Sequence, residues 1–122
     1  MQPKRITEAM ASQACRLGDQ LYSNRMSEET ARRALVDMGM NSSSAHIYLY
    51  NFVAMMNGKV FKRSMKIADI RSYFMYIEKK YGKRICGSAL DSLEKHIQYA
   101  EDQGFPTKSK KDLLLEIKER LL

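Results

Sequence analysis

The sequence predicts an all-α protein: a single-domain, irregular bundle of about six helices that contains a helix-turn-helix-like hairpin. Three observations predict it. Apolar residues recur at intervals of three and four rather than two, the period of helices and not of strands. Only two prolines and six glycines occur in 122 residues, so long stretches run without a breaker. Four of those glycines, Gly39, Gly58, Gly82 and Gly104, stand where an apolar stripe stops, the place for a left-handed helix end.

The first helix is expected over 4–22, with Ile6, Met10, Ala14, Leu17 and Leu21 on one stripe, and Ser23-Asn24-Arg25-Met26 breaks it. The second covers 27–38. Ser27 suits an N-cap, Glu28 and Glu29 complement the helix dipole, and Ala31, Ala34, Leu35 and Met38 form its core face. The third covers 42–57, starting at Asn41 or Ser42, with Ala45, Tyr48, Leu49, Phe52 and Met56 inward. The fourth covers 65–81 after a cap at Ser64, with Ile67, Ile70, Phe74, Ile77 and Tyr81 as the cleanest stripe in the chain. The fifth covers 84–103, burying Cys86, Leu90, Leu93, Ile97 and Ala100. Phe105-Pro106-Thr107 is a turn, and the sixth covers 109–122 with Leu113, Leu114, Ile117 and Leu121 inward. That last helix is equally readable as a tail docking on a partner or on a second copy, which would make a homodimer.

Hydrophobic content of 44% and charged content of 29% are ordinary for a globular chain. No apolar run approaches the ~20 residues a membrane span requires, so no membrane partner is expected. Met1-Gln2-Pro3-Lys4-Arg5 leads into an amphipathic segment rather than a signal-peptide core, which implies a cytoplasmic location. Cys15 and Cys86 read as buried free thiols in such a compartment, and the nine methionines as core filler. Two cysteines and two histidines far apart in sequence do not suggest a metal site, and no cofactor motif appears.

The charge is localised. Residues 59–84 hold nine basic residues against two acidic ones, which accounts for the whole net charge of +7. A concentrated positive field attracts polyanions, and a phosphate backbone is the commonest of these. The alternative is a solvated basic surface, with Lys79, Lys80, Lys83 and Arg84 capping the end of the fourth helix.

Helices two and three are separated only by Gly39-Met40-Asn41, the short glycine turn of a DNA-binding helix-turn-helix, although such hairpins also occur in helical proteins that bind no DNA. At 100° per residue Ser43, Ser44, His46, Ile47, Tyr50, Asn51 and Ala54 point away from the core stripe of helix three. Asn pairs bidentately with adenine and an exposed Ile contacts a thymine methyl. Lys59, Lys62 and Arg63 follow directly as a phosphate clamp, and Ser72, Tyr76, Lys79 and Lys83 form an outward stripe expected to touch flanking backbone.

Residues 42–103 carry a further pattern. Asn51-Phe52, Met55, Gly58, Phe61 and Arg63 form Asn-Phe-x-x-Met-x-x-Gly-x-x-aromatic-x-Arg, and Leu93, His96, Ile97 and Tyr99 form Leu-x-x-His-Ile-x-Tyr. This half of the chain resembles the helical module upstream of HNH nuclease domains in McrA-type, modification-dependent restriction endonucleases. The resemblance implies target recognition on DNA in a restriction-modification or phage-defence setting. It implies no nuclease activity, because the histidine-and-asparagine or cysteine-rich metal fold of an HNH domain is missing from the sequence.

No catalytic residues are expected. His46 has no acidic neighbour on its own helix face, His96 flanks a core stripe and reads as a structural hydrogen bonder, and no nucleophile elbow or phosphate loop is present. The leading expectation is a DNA-binding protein that uses double-stranded DNA. Ser43, His46, Ile47, Tyr50 and Asn51 would meet bases, and Lys59, Lys62, Arg63, Tyr76, Lys79 and Lys83 would meet the backbone. The competing expectation is a counter-defence protein of anti-CRISPR or anti-restriction type that binds a nuclease or nucleoprotein complex through Ile47 and Tyr50. A third is a single-strand or RNA binder that stacks bases on Phe61, Tyr73 and Tyr76.

Overall fold

Six α-helices account for the regular structure of residues 5–122, the part described by the computed structural model, and no strand occurs among them. They are α1 (Glu8–Tyr22), α2 (Glu28–Asp37), α3 (Ser42–Met56), α4 (Ile67–Tyr81), α5 (Lys83–Asp102) and α6 (Lys108–Leu121). The chain divides into two units, one through Val53 and the other Ala54–Leu122, with the division inside α3.

The first unit is organised by its caps and one close approach. Thr7 accepts a hydrogen bond from the backbone N–H of Met10, so α1 starts at Glu8 rather than at residue 4, and residue 4 itself lies outside the described residues. Ser27 caps α2 by accepting from Thr30 N–H, and Asn41 caps α3 by accepting from Ser43 and Ser44 N–H. Asn24 closes α1 with φ +58°, and Gly39 ends α2 with φ +105°. Gly18 lies against Phe52: a Cβ there would stand 2.7 Å from that ring's Cβ and Cγ, so only glycine lets α1 approach α3 this closely. Met10, Ala14, Leu17, Ala31, Leu35, Ala45, Tyr48, Leu49 and Phe52 are buried as the apolar stripes require, while Met38 is 41% exposed at the end of α2.

The second unit is an up-down-up arrangement of α4, α5 and α6. Cys86 Sγ lies 3.8 Å from the Phe74 carbonyl, which fixes α4 and α5 as antiparallel neighbours across Gly82 (φ +86°). Ion pairs set α6 against both. Arg71 holds Glu116 with two bonds of 2.9 Å, Arg120 reaches Glu78, Lys118 reaches Glu94 and Lys111 reaches Glu101. These pairs are half exposed, so each adds little stability; together they fix orientation. Leu113 and Ile117 are the buried residues by which α6 packs against α4 and α5, whose own buried residues include Ile70, Phe74, Ile77, Leu93 and Ile97. Ser64 does not cap α4, whose first turn follows Lys66 without a side-chain cap. The Ser64 hydroxyl instead accepts from Lys110 Nζ at 2.6 Å.

Candidate nucleic-acid interface

The segment between α3 and α4 carries the first basic residues, and it lies along α5 one helical turn at a time. Gly58 faces Ser88, the Ser92 hydroxyl donates to the Lys59 carbonyl (2.5 Å), His96 Nδ1 pairs with the Phe61 carbonyl (2.7 Å), and Lys62 Nζ stands 5.5 Å over the Tyr99 ring. The spacing 88, 92, 96, 99 is the 3.6-residue repeat of one helix face. Lys95 adds a bond to the Gly58 carbonyl (2.7 Å). The segment is therefore pinned by its backbone carbonyls, which leaves Lys59, Lys62 and Arg63 exposed on a fixed support.

Where this segment reaches the C-terminal end of α5, a cleft of about 510 Å³ opens, lined among others by Lys62, Arg63, His96, Tyr99, Phe105 and Lys110. Its floor is a chain of hydrogen bonds. The Phe61 carbonyl can only accept, so His96 Nδ1 carries the proton and Nε2 is the acceptor facing the Ser64 hydroxyl at 3.5 Å. Ser64 in turn accepts from Lys110. His96 is 1% exposed and stacks on Phe61 with centroids 4.3 Å apart and planes 8° from parallel. Burial lowers its pKa below the usual histidine value against the Phe61 hydrogen bond, and the Lys110 charge lowers it further. His96 is thus a neutral, structural imidazole. Burial alone also pulls the Lys110 ammonium below the ordinary lysine value.

The expected basic surface is not one patch. Lys62 and Arg63 reach the cleft near Tyr99, whereas Lys83 opens the first turn of α5. Sixteen residues of helix separate those levels, ~24 Å at 1.5 Å per residue. The stripe of Ser72, Tyr76, Lys79 and Lys83 is interrupted as well, because Gly82 redirects the chain and puts Lys83 on α5 rather than α4. Lys79 and Lys80 do lie in the last turn of α4, where cations are favoured, and Lys80 stands over the rings of the half-buried Tyr76 and Tyr81. Lys83 and Arg84 belong to the first turn of α5, where the positive end of its dipole meets the negative end of α4 across Gly82.

On α3 the outer face is narrower than the helical wheel implies. Ser43, His46 and Tyr50 are exposed, Tyr50 by 52%, but Ile47 is half-buried, and Asn51 (1% exposed) and Ala54 are interior. Asn51 is therefore unavailable to a base. Its burial follows from an interior face on α3 that takes in Asn51, Phe52, Ala54, Met55 and Met56 together. His46 does meet a carboxylate, from the preceding helix rather than its own: Glu28 Oε1 lies 3.1 Å from Nδ1. Phe61 and Tyr73 are wholly buried, which removes them as stacking surfaces.

Three cleft residues escaped the sequence reading: Tyr99, Phe105 and Lys110. The Lys108-Ser109-Lys110-Lys111 run was the available signal, masked because nearby acids balance its charge. Lys108 pairs with Asp112 and Lys111 with Glu101, while Lys110 turns into the cleft. Among the described residues no three His, Cys, Asp or Glu side chains group to hold a metal ion, and no helix is long and apolar enough to cross a membrane.

The two halves of the sequence pattern meet here, through Phe61 stacked on His96. Asn51, Phe52, Met55, Phe61, Leu93, His96 and Ile97 are all buried and Gly58 has φ +65°, so the pattern encodes packing and a turn. No protein-family model, curated protein or solved structure matches the chain.

Proposed function

We propose that this protein binds nucleic acid, with duplex DNA as the leading candidate, and that Lys62, Arg63 and Lys110 hold phosphate groups at the cleft beside the end of α5. The observation that carries the reading is that three cations from two separate segments line one concave surface, on a support pinned to α5. A phosphate placed in the cleft accepts charge-assisted hydrogen bonds from cations on both segments. In the first unit, taken by itself, Ser43, His46 and Tyr50 are the exposed residues that α3 offers. A role in restriction or phage defence rests on the resemblance noted above.

The test is a salt titration of binding to labelled duplex DNA. Removing two phosphate contacts with Lys62→Ala and Arg63→Ala should weaken binding across all sequences and reduce the log–log salt slope by about two. An unchanged slope refutes the clamp. A second reading, a counter-defence protein that docks on a nuclease or nucleoprotein complex, is favoured by the exposed Val36, Met38 and Tyr50. A partner that stays bound after nuclease treatment of the lysate supports this second reading over the first.

A further inference from the structure

Resting on the reading that this cleft holds nucleic-acid phosphates, and not on the duplex form, we propose that the cleft seats one unpaired DNA base, stacked on Phe105, with the adjoining phosphate held by Arg63 and Lys110. The cleft combines cations with flat apolar surface, and a phosphate clamp alone has no use for the latter. Phe105 is 60% exposed on its rim. Its backbone is nevertheless fixed. Gly104 takes φ +82°, Phe105 N–H donates to the Ala100 carbonyl (2.9 Å), and Thr107 Oγ1 donates to Glu101 (3.3 Å). A large aromatic ring held in water beside three cations matches the composition of single-strand binding surfaces, where rings stack bases and cations track the backbone.

The stacking face selects the unpaired state. Inside a duplex both faces of a base are covered by its neighbours, so only an unpaired base offers one to Phe105, and a cleft of about 510 Å³ has room for it. The exposed Ser64 hydroxyl donates to His96 Nε2 and accepts from Lys110, which leaves it one lone pair for a donor on a base edge. The choice of a strand over a free nucleotide comes from a neighbouring cleft of about 310 Å³. It contains Lys66 and Lys108 and shares Pro106 and Lys110 with the first, so basic lining continues past one nucleotide.

The experiment measures fluorescence anisotropy with a single-stranded thymidine 12-mer and an abasic 12-mer of equal charge. The wild-type protein should prefer the thymidine strand by about tenfold, the worth of one stacked base. Phe105→Ala should erase that preference and leave abasic binding unchanged, because the exposed ring is not part of the core. Lys110→Ala should weaken both probes equally. Equal wild-type affinity for the two strands, with the salt slope intact, overturns the base seat while the phosphate reading stands. Absence of binding to either strand or to duplex at low salt overturns both. Displacement of the thymidine strand by an equal concentration of thymidine monophosphate overturns the assignment to a strand.

Discussion

His96 joins the loop before α4 to α5, and its removal should be the most informative single change in the second unit. His96→Ala takes the donor from the Phe61 carbonyl, which sits at 2.7 Å in the interior. An unsatisfied buried acceptor costs about 1–3 kcal/mol. It also removes a ring stacked at 4.3 Å, worth about 0.5–1.5 kcal/mol. Together these give roughly 2–4 kcal/mol, a large part of the ~5–15 kcal/mol typical of a domain. Urea unfolding at pH 7.5 reads this as a lowered midpoint. Acid supplies a second measurement. Burial and the Lys110 charge depress the folded-state pKa of His96 below 6.5, so the unfolded chain takes up a proton first as pH falls. The stabilisation is complete above pH 6.5 and is lost as pH falls from there through the folded value. Wild-type stability should therefore drop between pH 7.5 and 5.5, and His96→Phe, which keeps a ring but cannot titrate, should show a smaller drop. A loss under 1 kcal/mol for His96→Ala, or identical pH profiles for wild type and His96→Phe, refutes the assignment.

Two further outcomes are expected. Gly18→Ala places a methyl 2.7 Å from Phe52 and should cost about 1–3 kcal/mol, read as a fall of several degrees in Tm; an unchanged Tm means that α1 and α3 are less closely packed than described. Burial, with the Glu78 charge adding to it, pushes the Cys86 thiol up to about 11, and Cys15 is equally enclosed, so a thiol reagent at pH 8 should label neither cysteine until denaturant is added. Fast labelling of the native protein contradicts that burial.

Helix existence was legible because local rules act within a few residues. Ser27, Gly39, Gly82 and Gly104 punctuate the chain through backbone conformations that each imposes alone. The failures were at positions whose fate depends on distant partners. Ser64 is a plausible cap by composition but is taken by Lys110, 46 residues away. Asn51 reads as an outward base reader on a wheel, yet lies on an interior face that a single stripe underestimates. Lys83 follows the α4 stripe only if Gly82 is ignored.

The candidate site divides along the same line. Sequence alone determined that this protein is helical and strongly basic between residues 59 and 84, with His96 a structural hydrogen bonder beside an apolar stripe, because periodicity, charge and residue chemistry are properties of short windows. Tertiary structure decided where the charges go. Laying residues 58–62 along α5 sends Lys62 and Arg63 to one end of that helix and leaves Lys83 and Arg84 at the other. The same packing brings Phe105, and Lys110 from a lysine run whose neighbours are paired with acids, to the mouth of the cleft. Their proximity is set by the pairing of α5 with α6, which burial of Leu113 and Ile117 enforces and no local pattern records.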